Sequence, residues 1–88
     1  MIDIAYTPSF LRQYKKLTID LQNEVKEKIE LFKCKEHHKS LKLHKLKGLL
    51  KKRWSFSVTL SYRIVFQWRP KRQEAILLAV GDHDVYKI

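Results

Sequence analysis

The chain has 88 residues, of which 44% are hydrophobic and 32% charged, with a formal net charge of +10. That length builds one domain around one modest core and excludes a second. One cysteine, Cys34, excludes an internal disulfide and favours a reducing compartment.

At the start, Met1 to Phe10 contains Asp3 and lacks the basic flank and long apolar run of a secretory signal. The longest apolar run, Ala75 to Val80, is far short of a membrane span. A soluble cytoplasmic protein with no membrane partner is expected. Ile2 to Tyr6 alternates as a short half-buried strand does. Thr7-Pro8 then supplies a cap and a first-turn proline for a helix through Lys16, with Phe10, Leu11, Tyr14 and Leu17 near one face. Thr18 or Asp20 caps a longer helix to about Lys33, whose Leu21, Val25, Ile29 and Phe32 fall at helical spacing.

Lys35 to Ser40 reads as a polar connector. After it, Leu41 to Gly48 alternates apolar and basic residues, and Gly48 marks a turn. If Leu41, Leu43 and Leu46 anchor this segment, Lys42, His44, Lys45 and Lys47 are left for an outward face. The first strand of a meander follows over Lys52 to Val58, with Trp54, Phe56 and Val58 on one side and Arg53, Ser55 and Ser57 on the other. Thr59-Leu60-Ser61 is a tight connection. Tyr62 to Trp68 is the second strand, placing Arg63, Val65 and Gln67 on the open face of the sheet. Beyond the basic turn Arg69 to Gln73, Glu74 to Val80 is apolar enough for burial on both faces. The expected architecture is α+β: β-α-α-β-β-β, a mostly antiparallel sheet with a helical hairpin packed on one face and Arg63 in the middle of the other.

Charge is distributed unevenly along this order. Residues 1–32 balance five Lys/Arg with five Asp/Glu, whereas residues 33–88 hold fourteen against four. Nine basic residues and one acid, Glu36, lie within 33–53. Such asymmetry is the footprint of a face that binds a polyanion. His37 and His38 are adjacent, but with one cysteine and no matching ligand pair they do not form a zinc site.

Three segments, Lys45-Leu46-Lys47-Gly48, Tyr62-Arg63-Ile64-Val65-Phe66 and Val80-Gly81-Asp82-His83-Asp84-Val85-Tyr86, resemble the RelE/ParE superfamily of type II toxin–antitoxin toxins. The resemblance covers nearly the whole chain in length and element order. It implies a single RelE-like domain over residues 1–88, acting as a monomeric toxin within a complex with a cognate antitoxin. In the RelE branch the implied activity is endonucleolytic cleavage of mRNA on the ribosome. In the ParE branch the same fold inhibits DNA gyrase without catalysis.

Cutting RNA by attack of a 2′-hydroxyl on the adjacent phosphate needs a base, an acid for the leaving 5′-oxygen, and cations for the charged transition state. Side chains can supply all three, so no cofactor or metal is required. Arg63 matches the arginine of the RelE-like Tyr-Arg-hydrophobic motif and can hold a phosphate bidentately. His83, two residues past Gly81, resembles the C-terminal histidine of YafQ-like and YoeB-like toxins, and His44 takes the place of a functional histidine in YafQ-like ones. Tyr86 matches a C-terminal aromatic near the cut and joins the expected catalytic set, either stacking on a base or helping as acid or base. Lys45 and Lys47 match the RelE-like Lys-Leu-basic-Gly segment, and Lys42, Lys51, Lys52 and Arg53 extend the expected RNA-binding set. Where the YafQ-like pattern has a further histidine and aspartate, this chain has Val58 and Ser61. The glutamate of the YoeB-like pattern is missing too, which leaves open which residue is base and which acid.

Overall fold

The computed structural model describes residues 1–48, 52–70, 73–82 and 85. Its elements in chain order are β1 (Asp3–Tyr6), α1 (Pro8–Lys15), α2 (Ile19–Phe32), a 3-10 turn at Lys35–His37, β2 (His44–Lys45), β3 (Trp54–Ser57), β4 (Arg63–Trp68) and β5 (Glu74–Gly81). Threonines start both helices. The Thr7 hydroxyl accepts the Phe10 N–H at 3.1 Å and the Thr18 hydroxyl that of Leu21 at 3.3 Å, and Pro8 opens α1.

The strands form one sheet in the order β1-β5-β4-β3-β2, with β1 parallel to β5 and the other neighbours antiparallel. This is the expected α+β arrangement with one strand more. The added strand, β2, comes from the alternating basic segment and pairs His44 with Ser55 and Lys45 with Trp54. Its pairing extends in both directions, because Leu46 donates to the Arg53 carbonyl and Ser57 to that of Leu41, both at 2.8 Å. The outer edge of β3 would otherwise present unpaired backbone groups, so even two residues of strand are stabilising there.

The helical hairpin covers one sheet face. Phe10, Val25, Ile29 and Phe32 from the helices are buried against Phe56, Ile64, Phe66, Ala75 and Leu77 from the strands. Phe32 sits at the hub, stacked on Phe56 at 4.6 Å and edge-on to Phe66 at 4.8 Å. Leu11 departs from the predicted face: it is 43% exposed. Phe10, Tyr14 and Leu17 follow one another at intervals of four and three and point inward, whereas Leu11 is turned about 100° away from Phe10.

Two further corrections concern the opposite face. Arg63 lies on the central strand of the five but is the first residue of it, so it stands at one end of the sheet. Nor is that face open throughout. Val65 and Ala79 are fully buried there beneath Val85, with Leu46 and Leu78 packed alongside. A bulge makes this second cluster possible: Val65 pairs with Ala79 and Phe66 with Leu77, leaving Leu78 as the extra residue. The bulge shifts the phase of β5, so that Ala75, Leu77 and Val80 face the helices while Ala79 faces away.

Helix α1 is tied to β5 just where β1 stops. The Thr7 hydroxyl donates to the Leu77 carbonyl at 3.0 Å, and the Gln13 side-chain oxygen accepts the Val80 N–H at 2.9 Å. Gln13 thus replaces the strand partner that Val80 lacks beyond Tyr6, the last paired residue of β1.

Candidate functional site

The hairpin between β3 and β4 turns around Thr59, whose hydroxyl accepts the N–H groups of Ser61 at 3.2 Å and Tyr62 at 3.1 Å. That turn sets the register placing Ser57 opposite Arg63, while β5 places Gly81 on the other flank of Arg63. The arginine therefore has a hydroxyl on one side and no side chain on the other. Its Nη1 donates to the Ser57 hydroxyl at 3.0 Å. One of five N–H donors is used in this way, and the planar fork keeps the geometry that suits a phosphate.

Next to that pair runs the register row His44, Ser55, Val65 and Ala79. Directly paired residues share a face, so His44 stands on the same side of the sheet as Arg63. The two lie two strands and two residues apart, which sets their Cα atoms about 12 Å from each other. Arg53 belongs to this side as well, lining a groove with Thr7, Ser9, Gln13 and Leu78.

His44 is exposed, and its Nδ1 lies 3.0 Å from the carbonyl oxygen of Lys42. A carbonyl can only accept, so a hydrogen bond here needs a proton on Nδ1, an arrangement that in a neutral imidazole leaves the lone pair on Nε2. Lys42 adopts φ +55°, a left-handed conformation that costs a lysine roughly 1–2 kcal/mol. Both its neighbours are fastened: Ser57 donates to the Leu41 carbonyl at 2.8 Å, and Leu43 donates to that of His38 at 3.2 Å. His38 is itself held, stacked on Phe32 at 5.0 Å with its Nε2 donating to the Phe32 carbonyl at 2.7 Å. Its role is to close the C-terminal end of α2.

The predicted RNA-binding residues divide between two faces. Lys45 pairs with Trp54, which packs on the helix side, and so lies across β2 from His44. There it lines a groove with Lys52, Trp54, Gln67, Trp68, Arg69 and Pro70. Lys52, like Lys42, is left-handed, at φ +67°. Lys42 and Lys47 are exposed on either side of β2. Gly48, with φ +73°, is in the left-handed region that glycine adopts without strain. Lys51, His83, Asp84 and Tyr86 lie outside the described residues. Ser57 was not among the predicted residues, although a hairpin centred on Leu60 places positions 57 and 63 opposite each other.

A separate cavity lies elsewhere. It holds about 740 Å³ between Met1, Ile2, Asp3, Lys33, Cys34, Lys35 and Gln73. Asp3 pairs with Glu74, at the opposite end of β5 from Gly81, so this cavity is remote from Arg63. The Lys33 ammonium there is raised above the ordinary lysine value, chiefly by its hydrogen bond to Glu30 at 2.6 Å.

No protein-family model and no curated protein sequence matches the chain. Solved structures do. YafQ from Escherichia coli superposes with a TM-score of 0.78 at 16% identity, covering 98% of each chain. The intact Escherichia coli RelBE toxin–antitoxin complex gives 0.71 at 18% identity over 93% of this chain and 96% of that one. The YoeB/ParE toxin from Agrobacterium tumefaciens gives 0.68 at 18% identity over 93% and 99%. At these identities the shared property is the path of the backbone, and the chain has the RelE-like fold.

Proposed function

We propose that this chain is the toxin of a type II toxin–antitoxin pair and an endoribonuclease that cleaves mRNA on the ribosome. The observation that carries this reading is the placement of His44 and Arg63 on one sheet face, with Nδ1 of His44 engaged by the Lys42 carbonyl so that Nε2 is the nitrogen available to a substrate. In the reaction, Nε2 of His44 takes the proton of a 2′-hydroxyl. The 2′-oxygen forms a bond to phosphorus, and the bond from phosphorus to the 5′-oxygen breaks. Arg63 stabilises the added charge on the phosphate oxygens.

The leaving 5′-oxygen needs a proton. His83 is assigned that role, and Tyr86 the stacking of a neighbouring base, on the sequence pattern alone. Gly81, which pairs with Arg63, precedes His83 by two residues in the sequence. Arg53 supplies a second cation on this face. Lys45 and Lys52, with Trp54 and Trp68, offer cations and aromatic rings for the strand where it passes over the β2 edge, and Lys42 and Lys47 add to the basic rim, which Lys51 joins on the sequence pattern alone. The excess of positive charge also suits an acidic antitoxin segment, and a chain of similar fold was solved within a toxin–antitoxin complex.

The test is cleavage of a translated mRNA by the parent protein and by folded Arg63→Ala and His44→Gln variants. Loss of at least a hundredfold in each supports the assignment. Full cleavage by both overturns it. Supercoiling by DNA gyrase, assayed with the same preparation, tests the ParE-like alternative; inhibition without any mRNA cleavage would establish that function instead.

A further inference from the structure

Lys42 belongs to the basic segment, yet the structure singles out its backbone. It is a lysine in the left-handed region, φ +55°, and its carbonyl meets the ring of His44 at 3.0 Å. An unconstrained neutral histidine in water prefers the proton on Nε2. A carbonyl 3.0 Å from Nδ1 favours the other tautomer. The residues on either side are fastened to separate parts of the fold, Leu41 to Ser57 of β3 and Leu43 to His38 at the end of α2. Leu41 is buried, only 3% exposed, and Leu43 packs on the main core. Between two anchored leucines the peptide at Lys42 is set by the fold rather than by any local preference of lysine. Strained backbone conformations of this kind are found where the surrounding structure imposes them, often at functional positions.

We propose that Lys42 is a positioning residue: its left-handed backbone, not its ammonium group, holds His44 in the Nδ1–H tautomer and turns Nε2 outward as the proton acceptor. This rests on the ribonuclease reading only for its consequence, since the tautomer is a property of the protein without RNA. The same Ser57 that accepts from Arg63 donates its backbone N–H to Leu41. One residue of β3 thereby fixes the arginine and one end of the turn that orients the histidine.

The experiment is a nitrogen-15 NMR spectrum of histidine-labelled protein, free of RNA, at a pH where the imidazoles are neutral. The chain has four histidines, and the signals missing from His44→Gln identify those of His44. His44 is expected to show a protonated Nδ1 and an unprotonated Nε2. Lys42→Gly, which accepts positive φ freely and has no charge, keeps that pattern. Lys42→Val, whose branched side chain disfavours positive φ, shifts it towards Nε2–H and slows mRNA cleavage roughly fivefold, the value of one modest hydrogen bond. An Nε2–H signal for His44 in the parent protein overturns the inference, as does an unchanged pattern in Lys42→Val. Failure of the ribonuclease reading looks different: the expected spectrum in a protein that cuts no mRNA.

Discussion

Nη1 of Arg63 donates to the hydroxyl of Ser57 at 3.0 Å across the β3–β4 hairpin. The bond orients a guanidinium at the end of a strand, where it would otherwise sweep a wide arc. Ser57→Ala removes the acceptor and leaves the backbone bond to Leu41 intact. We expect an unchanged unfolding midpoint and about a tenfold loss of mRNA cleavage, against a hundredfold or more for Arg63→Ala. Arg63→Lys should not restore activity, because an ammonium cannot hold two phosphate oxygens in one plane. Equal cleavage by parent and Ser57→Ala would show that the hydroxyl does not position the arginine.

The two tryptophans of the chain, Trp54 and Trp68, both line the groove that contains Lys45 and Lys52. Intrinsic fluorescence therefore reports on that groove without any label. Titration with a short single-stranded RNA carrying 2′-O-methyl groups, which cannot be cut, should change the emission in a salt-dependent manner. In Lys45→Ala the slope of log affinity against log salt should fall by about 0.7, the share of one phosphate contact on a single strand. Binding that leaves the emission unchanged would confine RNA to the Arg63 face.

Gln13 accepts the Val80 N–H at 2.9 Å, beyond the last residue with which β1 pairs to β5. Val80 is only 3% exposed, so water does not readily replace that acceptor. Gln13→Leu should cost about 1–3 kcal/mol, the penalty for a buried donor left unsatisfied. Urea unfolding checks this. The midpoint should fall with little change in the slope.

Gly81 flanks Arg63 and carries no side chain on the face where the phosphate is proposed to sit. A Cβ built there would meet Val85 at 3.7 Å, ordinary van der Waals contact. Gly81→Ala is accordingly expected to be at least as stable as the parent by thermal unfolding. Gly81→Leu should also fold, but a long side chain beside the guanidinium should lower cleavage about tenfold. Unaltered cleavage in Gly81→Leu would place the phosphate elsewhere. Gly48 provides the contrast. At φ +73° it has open space around it, so Gly48→Ala should cost about 1 kcal/mol through backbone strain alone.

Much of the framework is local chemistry and could be read without coordinates. Thr7-Pro8 and Thr18 start the helices because a hydroxyl and a proline act within one turn. The apolar run of β5 identifies an interior strand, and the Thr59 to Ser61 connection centres the hairpin that pairs position 57 with position 63. What local pattern could not decide was the side on which each basic residue of the segment 42–47 stands. In a strand that choice flips with a shift of one residue, and β2 is too short to carry a pattern of its own. Only pairing with β3 sends His44 to the Arg63 face and Lys45 to Trp54.

The bulge at Leu78 and the cover from Val85 likewise arise between elements distant in sequence, which is why the face around Arg63 read as open throughout. The left-handed turn at Lys42 is of the same kind. Nothing in a lysine favours positive φ, and the conformation exists because Leu41 and Leu43 are fastened to β3 and to the end of α2. The sequence by itself determined which residues carry charge and which helices and strands they join. Tertiary pairing alone decided which charges of the β2 segment share a face with Arg63, because that depends on register and on anchoring across the fold.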